Sequence, residues 1–398
     1  MEVWVTGLGC LCAAGRTTAE TWHALINGSG PLPAVPERLL KSAASLNFDD
    51  LTHPAFSVAD EVFANGFKHS ARDTLTLAET AAREALAQAG LDPAQLSDGQ
   101  TGIIIGSTAG NALHFLADYS ALKQGLPPEG SGLSDFFQCN PAEALAQKWH
   151  TGGPAMTIGT ACCSGADALG LGLEMIASGR CKRVLAGGAD ALSLVPYIGF
   201  RRLMIYSDEP CQPFDKNRKG LNLGEGAGIM LLESSAEAIK RKAAPLAKFS
   251  AYGAAADAHH LTAPHPEAKG LGQALQTAMA RARLAASDLA FVNAHGTATP
   301  ENDRAEARAF GKHLPGISVW AVKGSTGHTL GAAGGLEAVL TVCALQHGVV
   351  PRSHGFAEKD AALGLKPTTR ETAISQKAAI SVSLGFGGGN AVLIFGRI

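Results

Sequence analysis

Residues 156–179 read MTIGTACCSGADALGLGLEMIASG, and they decide how the chain is read. A strand-like run, AMTIGTA, stops at Cys162, and a helix-like run of Gly, Ala and Leu starts directly after it. The same plan returns at residues 319–348, VWAVKGSTGHTLGAAGGLEAVLTVCALQHG: a strand, a short loop, then a small-residue helix. A second pair also matches, GEGAGIMLLE (224–233) against GFGGGNAVLIF (385–395). Several elements matching in the same order predict one supersecondary plan used twice. The division falls near residue 240, where EAIKRKAAP (237–245) is charged and ends in proline, giving halves 1–240 and 241–398. Strands alternate with amphipathic helices throughout, which predicts an α/β fold. Its two pseudo-symmetric halves are each expected to have a mostly parallel sheet covered on both faces.

Composition narrows the function classes. Lys plus Arg (33) nearly balances Asp plus Glu (35), so no nucleic-acid or membrane field is expected. Glycine supplies 47 of 398 residues, above the ordinary share of about 7%, and clusters in short runs that suggest tight turns and close backbone approaches. Eight cysteines without a CxxC pair read neither as a disulfide framework nor as a zinc site. No basic, apolar leader opens the chain, and no apolar run approaches the ~18 residues that span a bilayer. A reducing, cytoplasmic setting without membrane insertion is the expectation.

Four glycine-flanked loops carry the reactive side chains. A cysteine at a strand-to-helix turn lies near free backbone N–H groups, which favour a thiolate. Both Cys162 and Cys163 sit there. Their side chains diverge by about 100° if both are helical, so only one faces a given pocket. His295 stands where the apolar run 289–292 gives way to a polar turn. Lys323 and His328 share one glycine-rich strand-to-helix loop, and Phe386 sits between glycines in GFGGGN. Loops at the carboxyl ends of parallel strands are where α/β sheets meet ligands.

In order and spacing these motifs resemble those of the β-ketoacyl-acyl-carrier-protein synthases. TACCSG is similar to that family's TAC-x-SG nucleophile turn, NAHGTATP (293–300) to its first histidine motif, and KGSTGHTLGAAG (323–334) to its lysine and second histidine motif. GFGGGN (385–390) resembles its C-terminal gate loop, and Gln212 to Gly228 its mid-chain segment. The resemblance covers essentially the whole chain and implies a thiolase-like fold, a layered α-β-α-β-α sandwich. His328 in the third position implies the elongating Cys-His-His subclass. The register implies that Cys162 is the nucleophile, leaving Cys163 to packing. By the same resemblance the N–H groups of Cys162 and Phe386 form an oxyanion hole, and His295 and His328 stabilise an enolate. Lys323 pairs with Glu337, Thr297 and Thr299 hold a phosphopantetheine arm, and Gly387 contacts substrate.

The implied reaction joins a Cys-bound acyl group to a decarboxylating malonyl thioester. The implied partner is an acidic acyl-carrier protein, with Arg201, Arg202, Lys68 and Arg72 as candidate contacts. The implied assembly is a homodimer, or a heterodimer with a chain-length-factor-like subunit, with Phe136 and Phe137 at the contact or in the core. No metal or cofactor is expected beyond the phosphopantetheine that the carrier brings. A thiolase using coenzyme A thioesters is disfavoured because GFGGGN lacks a cysteine. A non-catalytic chain-length factor is disfavoured because Cys162, His295, Lys323 and His328 are all present. Residues 106–138 depart from the fatty-acid enzymes, as do Cys163 and Gly389, where serine or threonine is common. The pathway is therefore either fatty-acid synthesis or a specialised one of aryl polyene or polyketide type.

Overall fold

The computed structural model describes residues 1–45, 48, 51–63, 72–108, 116–127 and 138–398. Lys68, Phe136 and Phe137 lie outside the described residues, as does much of 106–138. Strands run in chain order as β1 (Val3–Cys12), β2 (Thr101–Gly106), β3 (Ala155–Ile158), β4 (Arg183–Asp190), β5 (Gly226–Ser234), β6 (Ala247–Ala256) and β7 (Leu289–Asn293). They continue as β8 (Ser318–Trp320), β9 (Val349–Val350), β10 (Lys366–Pro367), β11 (Thr372–Ala373), β12 (Ala378–Gly385) and β13 (Gly389–Gly396).

The strand order exposes the repeat. One set runs β3-β2-β4-β5-β1 and the other β8-β7-β12-β13-β6, with β10 added at the outer edge of β8. They meet where Val3–Val5 of β1 face Ala247–Phe249 of β6. In the first set β3, β2 and β4 are parallel, while β5 and β1 run antiparallel. The second set repeats that pattern strand for strand. The sheet is therefore mixed, not mostly parallel as the alternation of strands and helices suggested. The cause is local: β12 turns straight back into β13 through a three-residue turn, Phe386–Gly388. A turn that short can only join antiparallel neighbours.

Five layers result. The helices Ser164–Ala177 and Ala333–His347 lie between the two strand sets and pack on each other. Asp73–Gln88 covers β1, β4 and β5 on one outer side, and Lys269–Ala282, with Pro300–His313 beside it, covers β6 and β13 on the other. Every residue from Ala333 to Leu345 is buried, which is why that helix is apolar all round rather than striped. Gly165 shows how close the two central helices come. A Cβ there would stand 2.7 Å from Gly335 N and 2.8 Å from Gly331 O. This close crossing brings the loop ahead of each helix, one carrying Cys162 and the other His328, to one place. Among the described residues no helix is long and apolar enough to cross a membrane.

Candidate active site

Cys162 sits on a constrained turn. Ala161 before it adopts a left-handed φ of 52°, which costs a residue with a Cβ about 1–2 kcal/mol. The Ala161 carbonyl accepts the Ser164 N–H at 3.0 Å and the Thr108 hydroxyl at 2.9 Å, and these bonds hold the turn. The helix proper begins at Ser164, with Cys163 as its cap residue. The two sulfurs part as the sequence implied. Cys163 Sγ lies 3.3 Å from Ser383 O and 3.4 Å from Gly389 O, inside the core. Cys162 Sγ faces His328, 3.1 Å from Nε2.

The protonation state differs from the sequence expectation. Burial pushes the Cys162 thiol up to about 11. The Lys323 charge and the N–H groups of Phe386 and of Cys162 itself pull it back, while Asp190 adds to the rise. Desolvation outweighs the helix terminus, so the resting group is a thiol in contact with an imidazole.

His295 is fixed by Glu306 and Lys323. Its backbone N–H and that of Gly296 each donate to the Glu306 carboxylate at 2.7 Å. Lys323 Nζ lies 3.2 Å from His295 Nδ1 and also donates to the His295 carbonyl. An ammonium has only donors, so Nδ1 must accept and the ring proton is on Nε2. Burial, then the charge of Lys323 and the nearby His328, hold His295 well below the usual histidine range. Burial and Lys323 do the same to His328, whose Nδ1 has no partner among the described residues. The two rings stand edge-on, with centroids 5.1 Å apart. Lys323 is itself anchored by a buried ion pair with Glu337, which burial raises to about 7 against the pull of that lysine.

The gate loop closes the site from the other side. Gly385 passes so near Cys162 that a Cβ on it would stand 3.3 Å from Cys162 N. The Phe386 N–H points at the same sulfur as the N–H of Cys162, which gives two donors on one locus. The Phe386 ring stacks on Phe200 at 5.3 Å between centroids and 18° between planes. Gly387, expected to contact substrate, instead donates its N–H to Leu261 O at 2.7 Å and is not among the cavity-lining residues. Its φ of 82° lets the turn reverse within three residues.

These groups open on one cavity of about 490 Å³, which Cys162, His295 and His328 line together with Thr297, Thr299, Phe200 and Phe386. Thr297 and Thr299 are buried, with their hydroxyls 2.8 Å apart. Exposed Leu203 and Met204 form part of its wall, immediately after Arg201 and Arg202 in the chain. Arg72 is elsewhere, lining a separate hollow with Glu79 and Lys148. Cys162 Sγ and one ring nitrogen of each histidine lie within 4.8 Å of one another, a donor set that suits a soft metal ion. The Lys323 ammonium against His295 puts a positive charge in the same dry pocket, and its repulsion disfavours a cation there. What the arrangement offers is a buried thiol beside a proton acceptor, a pair of backbone donors, and a neutral imidazole N–H.

Sequence reasoning missed Glu306, Asp190 and Phe200. Acidic residues near a helix start, such as Asp303 and Glu306, look like ordinary favourable charges for the helix N-terminus. Nothing local marks Phe200 as the partner of Phe386.

Comparison with known proteins places this geometry. The family profile "Beta-ketoacyl synthase, N-terminal domain" matches residues 1–238, and "Beta-ketoacyl synthase, C-terminal domain" matches residues 246–357. The 3-oxoacyl-[acyl-carrier-protein] synthase 2 of Coxiella burnetii is 32% identical, over 100% of this chain and 99% of that protein. The tetracenomycin polyketide synthase ketoacyl synthase alpha subunit of Streptomyces glaucescens is 30% identical, over 100% and 97%. The solved structure of the ishigamide ketosynthase/chain length factor superposes with a TM-score of 0.90 at 29% identity, covering 100% of this chain and 99% of that one. By profile and by full-length identity, this chain belongs to the β-ketoacyl synthase family.

Proposed function

We propose that the protein is a condensing acyltransferase that joins a Cys162-bound acyl group to a malonyl group on an acyl-carrier protein, giving a β-ketoacyl-carrier product. One observation carries the reading. A buried thiol, two neutral imidazoles and two backbone donors converge in a single cavity. In the first half-reaction Cys162 sulfur attacks the incoming thioester while His328 Nε2 takes its proton and passes it to the departing carrier thiolate. The N–H groups of Cys162 and Phe386 face the oxyanion of that tetrahedral intermediate. In the second, the malonyl carboxylate leaves as carbon dioxide, and its electron pair forms an enolate. The His295 Nε2–H donates to the enolate oxygen, and His328 joins it in the tautomer that carries its proton on Nε2. The enolate carbon then attacks the acyl-cysteine, the carbon–sulfur bond breaks, and the released Cys162 thiolate takes up one proton from solvent.

Lys323 keeps His295 in the donating tautomer, and Glu337 keeps Lys323 in place. Thr297 and Thr299 suit an arm entering from solvent, because their hydroxyls line the same cavity as the sulfur. An acyl-carrier protein is the proposed partner, in keeping with the name of the Coxiella relative. Arg201 and Arg202 flank the cavity wall and serve as its proposed contacts. The proposed assembly pairs the chain with a second copy or with a chain-length-factor-like subunit, in keeping with the ishigamide structure. No cofactor beyond the carrier's phosphopantetheine, a cytoplasmic location and a division near residue 240 belong to the same proposal. The proposed pathway is fatty-acid or polyketide-type synthesis, which the two relatives represent between them.

The test supplies purified protein with an acyl-carrier thioester and malonyl-carrier protein, and follows carbon dioxide and product mass. The reading predicts equimolar carbon dioxide and β-ketoacyl carrier. Carbon dioxide without a condensed product contradicts it.

A further inference from the structure

Asp190 ends β4 fully buried, and its carboxylate takes donors that belong to both halves of the molecule. From the first half, the Ser107 hydroxyl donates to Oδ1 at 2.6 Å and the Thr108 N–H to Oδ2 at 2.8 Å. From the second half, the Gly331 N–H donates to the same Oδ2 at 2.6 Å. Thr108 continues the line, because its hydroxyl donates to the Ala161 carbonyl at 2.9 Å. The two ends of this chain of bonds are special. Ala161 precedes Cys162, and Leu330 precedes Gly331 two residues after His328. Both hold a left-handed φ of 52°. Such conformations persist only where the surroundings over-determine them. Packing allows no slack at the junction, since a Cβ on Gly331 would stand 2.5 Å from Thr108 N and 2.7 Å from Asp190 Oδ2.

We propose that Asp190 is a positioning residue that locks the Cys162 turn to the His328 loop and so sets the sulfur-to-imidazole distance. It touches neither sulfur nor substrate; it acts through Thr108 and Gly331. Its role for the reaction rests on the condensing function proposed above.

Three variants separate positioning from plain structure. Asp190→Asn keeps an acceptor for the two N–H groups and removes the charge. Asp190→Ala leaves Thr108 N–H and Gly331 N–H without that acceptor, and Thr108→Val cuts only the link to Ala161. For Asp190→Ala the expected result is a kcat about 10²-fold lower with KM within twofold, the scale of a small misplacement of reacting groups. Asp190→Asn restores kcat to within about threefold, and Thr108→Val loses about tenfold. A wild-type kcat in Asp190→Ala, or no rescue by Asp190→Asn, overturns the assignment. If Asp190→Ala does not fold, a wild-type kcat in Thr108→Val overturns it.

A second readout needs no acyl substrate: the pH profile of Cys162 alkylation by iodoacetamide. The charged or titratable groups around that sulfur are Lys323, with its partner Glu337, and His295, His328, Asp190 and the adjacent Cys163. Removing the Asp190 charge moves the profile of Asp190→Asn to lower pH, because that charge opposes the thiolate. An unmoved profile in both Asp190 variants overturns the assignment even if the wild-type protein condenses nothing. A moved profile without any condensation overturns the condensing function alone.

Discussion

The connections β4–β5 and β12–β13 occupy equivalent places in the two strand sets, yet one is a long loop and the other a three-residue turn. One spans residues 191–225 and carries the helix Leu194–Arg202; the other is the turn Phe386–Gly388. The short one brings a backbone N–H to the sulfur. The long one builds the cavity wall with Phe200, Leu203, Met204, Ile205 and the run 219–221. They meet where Phe200 stacks on Phe386. A repeated plan has therefore been divided by task, with chemistry at the tight turn and substrate shape at the expanded loop.

The strongest way to break this comparison is to remove chemistry while leaving both loops intact. His295→Ala lowers the condensation rate by about 10²–10³, the usual loss for one oxyanion donor, while acylation of Cys162 persists; His328→Ala slows both steps, because its Nε2 also takes the thiol proton. Single-turnover assays that separate the two half-reactions check this; equal loss of both steps in His295→Ala would contradict the enolate role.

Next in size is the tight turn itself. Gly385→Ala adds a methyl 3.1 Å from Thr160 O and 3.3 Å from Cys162 N, so the loop must shift. Acylation is expected to slow by about tenfold as the Phe386 N–H moves off the sulfur, on the logic that such donors act by exact placement. A rate unchanged within error in pre-steady-state acylation would show that the hole tolerates displacement.

On the expanded loop, Phe200→Ala removes one aromatic stack worth about 0.5–1.5 kcal/mol. Acyl preference, measured by competing chain lengths, should change more than the rate of condensation. A large rate loss with unchanged preference would mean that the two loops are not divided as described.

The smallest effect appears in a titration. Burial raises the Cys162 thiol from an ordinary 9.0 to about 11, so its thiolate fraction keeps growing with pH across the neutral and mildly alkaline range. Alkylation of Cys162 should climb about tenfold per pH unit from 7 to 10, whereas that of a free cysteine levels off above about pH 9 to 10. Because the folded protein holds that proton longer than the unfolded chain, this group also makes stability fall as pH rises from about 9 to about 11.

The sequence made the reacting groups legible because few side chains can do the chemistry. A thiol before a small-residue helix, histidines on glycine loops and a lysine sharing the His328 loop stand out by type and spacing. The repeat indicated two matched halves, and the five-layer arrangement followed from the family resemblance. The strand directions did not, because alternating strands and helices suit both a parallel crossover and the return from β4 to β5. Burial was also hidden: the helix-terminus argument for a Cys162 thiolate omits desolvation, which here is the larger effect. Glycine in GFGGGN signals close approach, and Gly385 does pass close to Cys162, while the N–H of Gly387 is engaged with Leu261. Residues that act through others, such as Asp190 and Glu306, carry no local signature at all.

The central claim is that Cys162, and not its neighbour Cys163, carries the acyl group. Intact-protein mass spectrometry after incubation with an acyl-carrier thioester tests it most directly. The account predicts one added acyl mass in the wild type and in Cys163→Ala, and none in Cys162→Ala. An acyl mass retained in Cys162→Ala and lost in Cys163→Ala would contradict it.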